Sequence, residues 1–387
     1  MKIDFGNFDI SRQTVLCLRS YQFERDVEAL RQHGTRYNWA LLDEKQLAFT
    51  QSKWLPERLR QQSRYVNEHG ADVDAAWVRA KALGIEILQG LAGLKIAAVM
   101  SSHFDYWHDE SLRLACTELG IPFLVLMREH ELSEERYNIF GDYWGEMERV
   151  PEVAGVAVPG EIAVDMWTKV KVHPPSKMRA TGWPRLDIWH TKTQPKYDGP
   201  IVLLSYYKGY SAGNHFLDML RVFAEAAKRH PSRTFLVKAK HGDELTFLKK
   251  HLAERKLDLI VEDSMNFPSL IGNARAVVGF DSLAMLECLL APVPIFAPSW
   301  GETLDNRPAR ALSISPEDSV QTRHIHFVQS EVEMNAILDR AATGPVPTLD
   351  MASRLAAFQH YFTYDPVQKA SERVENFVAE FSGGVGR

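Results

Sequence analysis

The chain has 387 residues and a formal net charge of −5, more chain than one small core uses, so two domains are expected. A balance this close to neutral excludes a general nucleic-acid binder. Runs such as IVLL and VVGF fall far short of the roughly 20 apolar residues a membrane-spanning helix needs, and the opening MKIDFGNFDISRQ lacks the basic and apolar regions of a secretory signal.

In chain order, the pattern predicts a strand over 14–18, a helix over 24–32 and a strand over 38–42 that ends at Asp43 and Glu44. A helical stretch broken at Pro56 follows to about 67, then a helix over 71–91. A buried strand over 95–100 leads into the polar loop SSHFDYWHDE, followed by a helix over 110–118 and a strand over 121–127 that ends at Arg128 and Glu129. A strand over 153–158 and a helix from Glu161 close a first domain. The stretch Gly182 to Pro184 and the polar run 190–199 read as a linker. Beyond it, strands are predicted over 201–205, 234–238, 257–261, 276–278, 293–296 and 324–328, with a helix from Glu331. Two last helices span 351–363 and 367–381. Strands alternating with helices imply parallel sheets covered on both faces. The expected domains are 1–185 and 186–350, followed by C-terminal helices over 351–387. Cys17, Cys116 and Cys288 are scattered in apolar settings. They read as buried thiols of a reducing, cytoplasmic compartment rather than a disulfide or metal framework.

The most informative segment runs from Leu257 to Glu302. A short amphipathic helix over 267–274 precedes the strand at 276–278. A polar turn with Gly279, Asp281 and Ser282 then opens a second helix. A strand that ends in such a turn aims backbone N–H groups and the positive end of a helix dipole outward, which suits an anion. Ser282 and Asp281 are equally good plain helix caps. Glu287, among Leu286, Leu289 and Leu290, is a carboxylate on an apolar helix and needs a partner.

This segment resembles the nucleotide-binding half of GT-B glycosyltransferases, above all those of bacterial capsule and lipopolysaccharide synthesis. The stretch MRATGWPRLDIW (178–189) is similar to the TG-x-PR-x-D stretch of CDP-glycerol glycerophosphotransferases and related capsule enzymes. The resemblance implies an α/β fold of two Rossmann-like doubly wound domains facing a cleft, with the C-terminal helix crossing back to the first. It implies that Ser282 meets the donor phosphate and Glu287 the ribose. It places Lys238 and His241 of FLVKAKHGDE near the donor phosphate, although this chain has His241-Gly242 where capsule enzymes have His-Pro. It places Ser205, Lys208 and Gly209 beside the pyrophosphate or sugar, and Trp300, Gly301 and Glu302 near the sugar or base. The plain alternatives are solvated turns.

An inverting transferase needs an acid or histidine on the first domain to take the acceptor proton. His103 and Asp105 are the first choice, with Phe104, Tyr106 and Trp107 as rings of the kind that stack on sugars; Asp43, Glu44, Arg128 and Glu129 end other strands. No metal is expected: His103, His108 and His130 have no compact ligand spacing, and His324 with His326 gives only two ligands. No cofactor is expected beyond a nucleotide-sugar substrate. The basic amphipathic stretch with Trp54, Leu55, Arg58, Leu59, Arg60 and Arg64 either rests on anionic lipid at the inner membrane or packs on its own domain.

The reading is therefore a transferase that moves a sugar from a nucleotide donor to a growing surface glycan or lipid-linked acceptor. A CMP-activated acid such as Kdo or sialic acid is favoured, with a UDP-sugar as the other donor class. The rivals are a nucleotide-sugar epimerase of the same fold, a polyol-phosphate transferase using CDP-glycerol, and a non-catalytic scaffold.

Overall fold

The computed structural model describes residues 2–18, 23–60, 70–133, 135–138, 151–190, 198–206, 213–240, 242–263, 266–300 and 312–383. The chain divides into two compact units, Met1–His190 with His360–Arg387, and Thr191–Gln359.

In the first unit the order is β1 (Ile3–Asp4), β2 (Gln13–Leu18), α1 (Phe23–His33), β3 (Tyr37–Leu42), α2 (Glu44–Ser52), α3 (Glu57–Arg60) and α4 (Ala71–Gly90). It continues with β4 (Ile96–Ser101), α5 (Glu110–Leu119), β5 (Phe123–Leu126), β6 (Gly155–Val158), α6 (Glu161–Lys169) and β7 (Met178–Ala180). The strands form one sheet in the order β1-β3-β2-β4-β5-β6-β7. All neighbours are parallel except β1 on β3. The inner strands are unbroken apolar runs because helices cover both faces. On one face Leu88, Leu112, Cys116 and Trp167 pack against Leu16, Val99 and Val125. On the other, Val27 and Leu30 of α1 meet Val374, Phe377 and Val378 of the C-terminal helix Ala370–Ser382. That helix thus returns to the first unit, as expected.

The segment read as the start of a linker lies inside this unit. Thr181 and Gly182 donate main-chain bonds to Val158 O (3.0 and 3.3 Å). Gly182 has φ +72°, and a Cβ there would run into the Thr363 carbonyl oxygen. Trp183 is 1% exposed and donates through Nε1 to Met127 O (2.7 Å). Arg185 lies 3.7 Å over the Trp183 ring and bonds buried Asp26 (2.7 Å). Asp187 accepts from Ala370 N (2.7 Å), Ser371 N (2.9 Å) and Ser371 Oγ (2.6 Å), capping the C-terminal helix.

The basic stretch packs on its own unit: Leu55 and Leu59 join Val73, Ala76 and Trp107, and Arg58 pairs with Asp72 (2.8 Å). Arg64 lies outside the described residues. No helix among the described residues is long and apolar enough to cross a membrane.

In the second unit β8 (Ile201–Leu204), α7 (Gly213–Arg229), β9 (Phe235–Lys238), α8 (Gly242–Arg255), β10 (Ile260–Glu262) and α9 (Phe267–Asn273) come first. β11 (Ala276–Val278), α10 (Leu283–Glu287), β12 (Ile295–Pro298), β13 (Ile325–Val328), α11 (Glu331–Thr343) and α12 (Met351–Tyr361) follow. The sheet is wholly parallel in the order β10-β9-β8-β11-β12-β13. This is the doubly wound order of dinucleotide-binding domains. β10 starts three residues later than the pattern suggests because Lys256, at φ +54°, and Leu257 N bonding Leu252 O finish α8 first. α10 is short and tightens into a 3₁₀ turn over Cys288–Leu290. Pro292 forces Ala291 into extended backbone (ψ 151°), which ends the helix.

Candidate functional site

In a doubly wound sheet, ligands lie beyond the carboxyl ends of the strands where the order reverses. In the second unit that point lies between β8 and β11, which pair through Leu203 and Val278. The first residues beyond the neighbouring strand ends are Ser205 and Tyr206 after β8, Ala239 after β9, and Gly279 to Ser282 after β11. The sheet therefore gathers Ser205, Lys238 and Ser282 at one end.

Ser282 is the N-cap of α10, and its Oγ accepts from Ala284 N (3.3 Å). Asp281 is not the cap: its Oδ1 accepts from Ile314 N (3.0 Å) and fastens that loop. A Cβ on Gly279 would meet the Met285 sulfur, so the glycine lets the Met285 side chain pack directly over the turn. Glu287 ends α10 and is half-buried between buried Leu286 and Cys288. Just beyond, Arg354 of α12 is buried and donates to the carbonyls of Cys288 (2.7 Å), Leu289 (3.2 Å), Ala291 (3.0 Å) and Val293 (3.0 Å). Burial lowers the pKa of this guanidinium to about 10. It satisfies carbonyls that a short helix leaves open.

Lys238 ends β9, where its Nζ donates to Ala239 O (3.1 Å) and Asp263 O (2.6 Å). Ser205 Oγ donates to Glu244 Oε2 (2.8 Å), and the same oxygen accepts from Lys240 N (2.5 Å). Tyr206, Phe280, His215 and Trp300 form an aromatic group at this end of the sheet. The His215 ring is 5.7 Å from Phe280 and 5.0 Å from Trp300, and Tyr206 is 5.9 Å from Phe280. Both His215 ring nitrogens are shielded from water without a hydrogen-bond partner, and burial lowers its pKa. Lys208, Gly209, His241, Gly301 and Glu302 lie outside the described residues.

In the first unit the order reverses between β2 and β4, so the loop after β4 holds the corresponding place. His103 and Asp105 lie on it. The loop is largely buried rather than a polar surface. Ser101 Oγ bonds Asp109, and His103 N donates to Ser101 Oγ (3.2 Å). Asp105 is buried and His103 half-buried, its ring 4.0 Å from Tyr106. The expectation of three sugar-stacking rings needs correction. Phe104 (4% exposed) sits against Trp167 and His173, and Trp107 (6% exposed) joins the cluster of Leu55 and Leu59. Tyr106 alone of the three is half-buried. Of the other strand-end residues, Asp43 caps α2 and Arg128 pairs with Glu129 (2.9 Å).

The histidines weighed as ligands go to separate tasks. His108 stacks on Trp107, and His130 bonds Tyr361 O (2.7 Å). His326 bonds Glu333 (2.7 Å), and His324 lies 3.4 Å from Ser353 Oγ. The described residues hold no group of three or more His, Cys, Asp or Glu placed to bind a metal. The three cysteines are free and buried, and burial pushes their thiols far up.

Sequence reading missed Glu244, His215 and Arg354. Glu244 lies in the FLVKAKHGDE run already singled out, so its neighbourhood was visible although its contact was not. His215 and Arg354 sit on ordinary helical patterns with no local signal.

No protein-family model matches the chain, and no curated protein matches it in sequence. Solved structures match its fold over nearly the whole length. A glycosyltransferase from Rickettsia africae ESF-5 is 11% identical with a TM-score of 0.51, covering 96% of this chain and 98% of its own. The UDP-GlcNAc 2-epimerase of Methanocaldococcus jannaschii is 13% identical with a TM-score of 0.54, covering 95% and 99%. The S. aureus protein MnaA, solved with UDP, is 12% identical with a TM-score of 0.53, covering 97% and 98%. With its two doubly wound parallel sheets and these matches, the chain has the GT-B fold shared by glycosyltransferases and UDP-GlcNAc 2-epimerases.

Proposed function

We propose that the protein is a glycosyltransferase that takes a sugar from a nucleotide-activated donor. The observation that carries this reading is the gathering of Ser205, Lys238 and Ser282 at the reversal point of the second sheet. The nucleotide binds there, with its phosphate at the Ser282 turn and its ribose at Glu287. Lys208 and His241 are assigned to the same donor on the family resemblance. The acceptor is assigned to the first unit, where His103 or Asp105 takes the proton of the attacking hydroxyl. The anomeric carbon then loses its bond to the nucleotide phosphate and gains one to the acceptor oxygen. Catalysis rests on holding the substrates in line and stabilising the departing phosphate.

The TG-x-PR-x-D stretch works inside the first unit, holding the C-terminal helix, so it speaks for the fold and not for the nucleotide. Capsule or lipopolysaccharide assembly with CMP-Kdo rests on the sequence resemblance. UDP-sugars and CDP-glycerol remain donors to test. Epimerisation is the second reading, favoured by near-full-length fold matches to UDP-GlcNAc 2-epimerases.

The test is NMR of the protein in D₂O with UDP-GlcNAc, CMP-Kdo and CDP-glycerol, with and without glycan acceptors. Nucleotide release that depends on acceptor supports transfer. Deuterium entering the sugar with inversion of a carbon centre, and no acceptor needed, replaces transferase with epimerase. Protein that binds donors and converts none is a scaffold.

A further inference from the structure

We propose that Glu244 fixes the polarity of the Ser205 hydroxyl, so that Ser205 accepts a hydrogen bond from a donor-substrate hydroxyl rather than giving one to its phosphate. This rests on the donor site proposed above and specifies its chemistry. Ser205 is the first residue beyond β8, half-buried, with its backbone N bonded to Lys238 O (3.0 Å). Glu244, on the first turn of α8, is 2% exposed. Its Oε2 accepts from both Ser205 Oγ (2.8 Å) and Lys240 N (2.5 Å). A carboxylate oxygen has only lone pairs to offer, so the hydrogen in the first contact belongs to the serine. A hydroxyl has one proton. With that proton turned to Glu244, Ser205 has only lone pairs left.

Lone pairs repel phosphate oxygens and receive O–H groups. The ligand group is therefore a hydroxyl, of either the ribose or the sugar.

The experiment measures affinities by calorimetry for matched probes on wild type, Ser205→Ala, Ser205→Thr and Glu244→Ala. UDP against 2′-deoxy-UDP, and CMP against 2′-deoxy-CMP, test the ribose; UDP-GlcNAc against UDP tests the sugar. Wild type is expected to prefer the hydroxyl-bearing member of one pair type by about tenfold, equivalent to ~1.4 kcal/mol. Ser205→Ala abolishes that preference and leaves the affinity for the other member within about twofold. Ser205→Thr keeps it. Glu244→Ala, which removes the acceptor and frees the serine proton to turn outward, loses it although Ser205 is intact. A purely structural Glu244 would instead weaken all probes together, which overturns the proposal. So does a preference that survives in Ser205→Ala. Failure of wild type to bind any probe removes the donor site, and this proposal with it.

Discussion

His130 carries an imidazole where water does not reach. It is buried against Trp183 and Phe362, with Nε2 bonded to Tyr361 O (2.7 Å). Burial lowers its pKa from 6.5 to about 4. His173, packed on Phe104, is lowered to about 4 by the same cause. Between those two values the unfolded chain binds protons that the folded chain refuses. This stabilisation is therefore whole above about pH 6.5 and is lost as the pH falls toward 4. We expect the melting temperature to decline over that window. In His130→Gln, which can still donate to Tyr361 O, the decline should be shallower; an unchanged slope would refute the assignment. At this scale part of the site was legible. The Ser282 cap follows from local preference. The contact of Ser205 with Glu244, 39 residues apart, exists only because β8 and β9 pair, which no local pattern encodes.

The inner strands and long helices were legible because each is a run of one periodicity. The edges were not. β1 is two residues long, and β7 has no apolar run of its own and is set by its pairing with β6. The end of the helix after Ser282 was not legible either, because Pro292 acts on the residue before it rather than on the visible apolar stripe. The stretch Gly182 to Pro184 looked like a linker because Gly and Pro usually mark one. Here the glycine makes room for Thr363 O and the rest holds neighbouring elements. Asp187→Ala removes three acceptor contacts at the start of the C-terminal helix. We expect a loss of about 2 kcal/mol, the upper range for a helix cap. Limited proteolysis should then cut between residues 363 and 370 sooner than in wild type. Cleavage at wild-type rate would mean that the helix is held without this cap.

Across the whole molecule, strand–helix alternation was enough to give the α/β class, since a parallel sheet needs both faces covered, whereas the GT-B design was implied by the resemblance of 257–302 and 178–189 to known glycosyltransferases. The reaction was less legible. Two chemistries share the fold, and they differ in which polar groups meet the sugar rather than in how the sheets are built. The central claim is that the second unit binds a nucleotide at the Ser282 turn and Glu287. It is tested most directly by thermal shift of the purified protein with CMP, CDP, UDP, GDP and ADP, repeated on Glu287→Ala. A ligand that binds only the folded state raises the melting temperature. The account predicts a rise with one of the pyrimidine nucleotides that is absent in Glu287→Ala. No rise with any nucleotide in folded wild type, or an equal rise in the variant, would contradict it.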